Sequence, residues 1–240
     1  PVVVTTILPT PVLVTVTVLL VVVTMNAVNF VDGLDGLAAG IVGISATAFF
    51  AYSYSISKDY SPNVFSVSSL VAAALIGCCI GFLPHNFNPA RIFMGDSGSM
   101  LLGLLLSAAT ISLVGNIDPS TLTGGQLPAG ALYLFPLLVP VAVLVVPLLD
   151  LVLAIVRRTR AGRRPWHPDA QHLHHQLLGL GLSHARAVMA LYSWTAMVAL
   201  GAAAFAVLPT AWAAVMMLLF GLMAVVFTVP RLRVGADQRL

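Results

Sequence analysis

Two carboxylates three residues apart, Asp32 and Asp35, stand in the stretch NFVDGLDGLAAG from Asn29 to Gly40, at the mouth of a long apolar run. The chain has eight acidic residues, all aspartates, so a close pair concentrates a group that is scarce elsewhere. Two like charges about 4 Å apart repel by roughly 4 kcal/mol at an effective dielectric near 20. Such a pair calls for a cation or a proton between its members. Gly33 and Gly36 leave the backbone uncovered, so a large anion can approach closely. A helix starting early enough would put both carboxylates on one face at i and i+3. The bland alternative is an N-cap followed by a first-turn aspartate, which accounts for one carboxylate better than for two.

A third carboxylate, Asp96, follows in FMGDSGS, Phe93 to Ser99. GDSG resembles the nucleophile loop of trypsin-like serine proteases, but the apolar run MLLGLLLSAATISL follows at once and leaves no room for a soluble barrel. Asp96 reads either as a plain N-cap or as a ligand for Mg²⁺ or Mn²⁺, ions that prefer carboxylate oxygen. The longest polar stretch, Arg157 to His184, carries Arg157, Arg158, Arg160, Arg163 and Arg164, then Asp169 and the HxHH cluster His172, His174 and His175. The arginines suit a positive-inside signal or lipid headgroups. Zinc would want further ligands, and no cysteine stands nearby; imidazoles that grip a pyrophosphate suit the setting better. Asp150 is expected to pair with Arg157 or Arg158. The adjacent Cys78 and Cys79 read as small packing residues in an apolar run.

The elements that must position these groups are membrane helices. Of 240 residues, 59% are hydrophobic and 8% charged, against roughly a quarter charged in soluble domains. That excludes a water-facing globule and predicts an all-α, polytopic transmembrane bundle. Seven spans of roughly 20 residues are expected, at about 12–30, 37–57, 64–84, 99–115, 130–153, 186–206 and 211–230. Residues 1–11, broken by Pro9 and Pro11, read as an extended segment at the outer face. The chain forms one domain, 1–240, with an Arg/His-rich loop at 154–185. It opens on Pro1 with no basic leader, and is expected to be a fragment without its amino-terminal part. Alternating spans deliver every arginine to one side and Lys58 alone to the other, so the arginine side is expected to be cytoplasmic. The three polar stretches all fall on that side, where a site is expected. A transporter would instead carry its polar groups near span midpoints.

Taken together, NAVNFVDGLDGLAAG, NPARIFMGDSGSMLLG and DAQHLHHQLLGLG resemble the polyprenyl-phosphate N-acetylhexosamine-1-phosphate transferases, glycosyltransferase family 4, from about Asn26 to Val188. FVDGLDG and His-Leu-His-His are closer to the N-acetylglucosamine-1-phosphate branch than to the muramoyl-pentapeptide branch. The resemblance implies transfer of a sugar 1-phosphate from a UDP-N-acetylhexosamine to a polyprenyl phosphate, with Mg²⁺ or Mn²⁺, releasing UMP. It implies Asp96 as metal ligand and Asp32, Asp35 and His174 as further catalytic residues. Asn26, Asn29, His172, His175, Arg157, Arg158 and Arg164 would bind substrate. The partners implied are the nucleotide sugar, the lipid phosphate and the bacterial plasma membrane, with a homodimer expected and no nucleic acid. The family's upstream DDxxD-like motif is absent, and Ala170 and Gln176 stand where arginines are frequent. The missing motif puts independent activity of this stretch in doubt; the two replaced arginines leave fewer charges on the phosphate, a loss that neighbouring arginines could offset.

Overall fold

The computed structural model describes residues 9–60, 67–116, 148–149, 152–153, 155–156, 158–160, 162 and 177–229, with side chains throughout except at 56–60 and 114–116. Six long helices run through them: α1 Thr10–Val31, α2 Leu37–Tyr60, α3 Val67–Asn86, α4 Gly95–Asn116, α5 His184–Val207 and α6 Thr210–Thr228. No strand occurs among the described residues. All six helices are long and apolar enough to cross a bilayer, so this is a multi-pass membrane protein of the expected all-α class.

Prolines set two of the starts. Pro9 caps α1 and Pro11 follows in its first turn, where a missing N–H costs no intrahelical bond; Pro209 caps α6 in the same way. As a result Thr10 and Pro11 are already helical, not part of an extended segment as expected. Most of the expected fifth span, 130–147 with 150–151, lies outside the described residues; 148–149 and 152–153 are helical.

The central helix is α2, which packs on α1, α3, α4 and α5, while α6 packs on α5. Val42, Ala46, Phe49 and Tyr52 of α2 meet Ala72, Leu75 and Cys79 of α3, Leu106 and Ala109 of α4, and Ala199 and Ala203 of α5. Small side chains let the backbones approach, as dispersion-driven packing within lipid requires. The buried hydroxyls of Ser53 and Ser69 pair at 2.9 Å between α2 and α3. The outward faces of α1 (Val14, Val16, Val18) and α6 (Leu218, Leu219, Leu222) remain apolar and exposed, as a lipid-facing surface should.

This topology brings four things to one end: the α1–α2 turn, the α3–α4 loop, the start of α5 and the end of α6. Arg186 in the first turn of α5 donates to the carbonyls of Val226 (2.9 Å) and Val229 (2.6 Å), closing the last turn of α6 there.

Candidate active site

Helix α1 ends at Asp32, whose N–H donates to Asn29 O at 3.1 Å. Residues 32–36 then form a tight turn, and α2 begins only at Leu37. The expectation that Asp32 and Asp35 share a helical face is therefore corrected. Gly36 adopts φ +80°, a left-handed conformation that breaks the helix and that other residues resist. Nor does Asp32 cap a helix N-terminus. It closes the C-terminus of α1, where the dipole disfavours an anion.

The turn is tied to the α3–α4 loop by three bonds. Asp35 Oδ2 accepts from Asn88 Nδ2 (2.9 Å) and from the Ala90 N–H (3.1 Å). The Gly36 N–H donates to Asn86 Oδ1 at 3.0 Å, and Asn86 Nδ2 donates to Ile92 O at 2.9 Å. Asn86 is buried, so its amide joins two loops where water does not compete. From α5, His184 Nε2 lies 3.3 Å from Asp35 O, and the Tyr192 hydroxyl donates to Gly36 O.

Asp96 stands exposed in the first turn of α4, where the helix dipole favours its charge. Asn29 Nδ2 reaches across from α1 and donates to both Asp96 Oδ1 and Ser99 Oγ, each at 3.0 Å. This amide joins two of the polar stretches into one site. Burial, then the nearby carboxylates of Asp96 and Asp35, push the Asp32 carboxyl up from 3.8 to about 6. Asp96 and Asp35 therefore both lie within electrostatic reach of Asp32.

A hard cation fits this chemistry in part. Among the described residues no group of three or more His, Cys, Asp or Glu side chains is arranged to hold a metal. Mg²⁺, however, is commonly bound by one or two carboxylates together with substrate phosphates and water. Asp96 and Asp32 would supply carboxylates of that kind, and the repulsion that raises Asp32 gives the cluster a use for positive charge.

Of the other expected residues, Asn26 donates to Val22 O within its own helix at 2.7 Å. Arg158 is buried. His172, His174, His175, Arg157 and Arg164 lie outside the described residues, as do Asp150 and Asp169. Four residues that hold the site were not singled out from sequence: Asn86, Asn88, His184 and Tyr192. The two asparagines had a signal, since they flank Phe87 in the polar stretch before Asp96. Tyr192 had only its polarity within an apolar span.

The glycosyl transferase family 4 sequence profile matches residues 1–114. The chain is 47% identical over 215 residues to a decaprenyl-phosphate N-acetylglucosaminephosphotransferase of Mycolicibacterium smegmatis, covering 89% of this chain and 52% of that protein. It is 52% identical over 180 residues to the protein so named from Mycobacterium leprae, covering 75% and 44%. With a probable undecaprenyl-phosphate N-acetylglucosaminyl 1-phosphate transferase of Bacillus subtilis it shares 39% over 178 residues, covering 73% and 43%. The chain thus spans about half the length of these relatives.

Proposed function

The chain belongs to glycosyl transferase family 4, and on that premise we propose that it contributes the active site of an N-acetylglucosamine-1-phosphate transferase. The donor would be UDP-N-acetylglucosamine and the acceptor a polyprenyl phosphate. An oxygen of the acceptor phosphate bonds to the sugar-bearing phosphorus, the bond from that phosphorus to the UMP oxygen breaks, and UMP leaves with the electron pair. The observation that carries the reading is the Asn29 bridge to Asp96 beside a half-buried Asp32. It gathers carboxylates from two distant motifs at one end of a membrane bundle. The relatives named for decaprenyl and undecaprenyl phosphate support a long-chain acceptor.

The chief barrier is the meeting of two anions, so charge neutralisation and alignment supply most of the rate. Asp96 would hold Mg²⁺ or Mn²⁺. The ion would supply positive charge to offset the negative charge of the diphosphate and the departing UMP. Asn29 fixes the Asp96 carboxylate, and Asp32 adds negative charge that favours a cation there. His172, His174 and His175, with Arg157, Arg158 and Arg164, are assigned the remaining phosphate charge. Simple phosphoesters lose their second proton near pH 6, so a dedicated base is hardly needed at neutral pH. A site at the helix ends reaches both a lipid phosphate at headgroup level and a nucleotide in water. The end that carries Arg91 and Arg186, opposite the α2 end with Lys58, is assigned to the cytoplasm of a bacterial plasma membrane.

The test is UMP release by the full-length protein in lipid, with polyprenyl phosphate and Mg²⁺. UDP-N-acetylglucosamine, UDP-N-acetylgalactosamine and UDP-N-acetylmuramoyl-pentapeptide are compared. Release with the first, abolished by a chelator, is expected. Preference for the third would make this the muramoyl-pentapeptide branch, and release with none would end the transferase reading.

A further inference from the structure

We propose that Tyr192 of α5 is a positioning residue for the acidic turn, acting through the Gly36 carbonyl from a slot that Gly40 leaves open. The phenol lies among Val31, Leu37, Ile41, Val188 and Leu191. A hydroxyl in such surroundings needs a partner, and it finds the Gly36 carbonyl, the last of the turn. A Cβ added at Gly40 would overlap the Tyr192 ring, so the ring can lie against α2 only because that position is glycine.

Gly36 is thereby gripped from both sides. Its N–H is bound by Asn86 from α3, and its carbonyl by Tyr192 from α5 together with the Gly40 N–H at 3.0 Å. The preceding carbonyl, Asp35 O, faces His184 Nε2 from the same α5. A left-handed residue has few neighbours in conformational space that keep the chain direction. Fixing its two peptide planes therefore fixes how the turn enters α2. That turn carries Asp32, which like-charge repulsion from Asp96 and Asp35 would otherwise drive outward. Tyr192 resists this displacement and keeps Asp32 within reach of Asp96, while touching neither carboxylate.

The kinetic arm of the test rests on the transferase reading; the exchange arm does not. Tyr192→Phe keeps the ring in its slot and removes only the donor. In the full-length protein in nanodiscs, its melting temperature should fall by no more than about 4 °C, the scale of one hydrogen bond. Amide hydrogen exchange in peptides covering 29–40 should quicken by up to about tenfold, the scale of one hydrogen bond. The kcat for UMP release should fall by about tenfold, with KM for the nucleotide sugar within about twofold. Gly40→Ala should cause a similar loss by evicting the ring, and should add little in a Tyr192→Ala background, since the two changes break one contact. Wild-type exchange in the turn of Tyr192→Phe would overturn the proposal, whatever the catalytic result. So would losses from Gly40→Ala and Tyr192→Ala that multiply, or a kcat that falls only in step with melting temperature. If wild-type protein releases no UMP, the transferase reading fails alone, and the exchange measurement still decides the role of Tyr192.

Discussion

Replacing Asp32 by asparagine should make the ligand-free protein more stable while abolishing turnover. The reason is the environment of that carboxyl. Burial first, then the charges of Asp96 and Asp35, raise it from 3.8 to about 6. At about 1.4 kcal/mol for each tenfold change, the full rise corresponds to roughly 3 kcal/mol. Asp32 is only half-buried, and solvent screens part of that, leaving roughly 1–2 kcal/mol. The folded state holds the proton more tightly than the unfolded chain, so ionisation costs stability above the folded value. The cost fades as pH falls through about 6 and is gone below 3.8, where both states are protonated. Asparagine keeps the shape and the backbone bond to Asn29 without the charge. Thermal melting of the full-length protein, with chelator and no substrate, is the assay. The asparagine variant should melt several degrees higher at about pH 7, and the gap should shrink markedly by about pH 5. A variant that melts at or below wild type near neutral pH, or a gap that ignores pH, would refute the reasoning.

Asp96→Asn should lower UMP release by at least about 10²-fold while leaving the melting temperature close to wild type, because Asp96 is exposed and the loss falls on charge stabilisation. Asn86→Ala should destabilise by about 2–4 kcal/mol in thermal or denaturant unfolding, since it orphans the Gly36 N–H and the Ile92 carbonyl together. Its Asp variant should recover part of that loss, as the carboxylate still accepts from Gly36. The Tyr192 and Gly40 variants described above complete the set.

Much of the bundle was legible because lipid imposes one rule on each span: twenty or so apolar residues with internally satisfied backbone. The boundaries of the six helices accordingly fall within about four residues of expectation. That the stretches of Asn29 and Asp96 share one end was legible too, since alternating spans put their loops on one side. The local geometry was not. The i, i+3 spacing of Asp32 and Asp35 suits a helix as well as a turn, and only the left-handed Gly36 with its partners decides between them. Asn86 and Tyr192 act through contacts 50 and 156 residues distant in sequence, and no local pattern encodes such pairings. Asp35 illustrates the same limit. Its spacing suggested chemistry, whereas its Oδ2 is engaged by the loop that leads to Asp96.

The central claim concerns which phosphorus moves, and isotopic labelling follows it directly. UDP-N-acetylglucosamine labelled separately at each phosphate is incubated with the full-length protein, polyprenyl phosphate and Mg²⁺. The account predicts that the sugar-bearing phosphate passes into the lipid together with the sugar, while the other leaves as UMP. Recovery of both labels in UDP, with the sugar alone on the lipid, would contradict it.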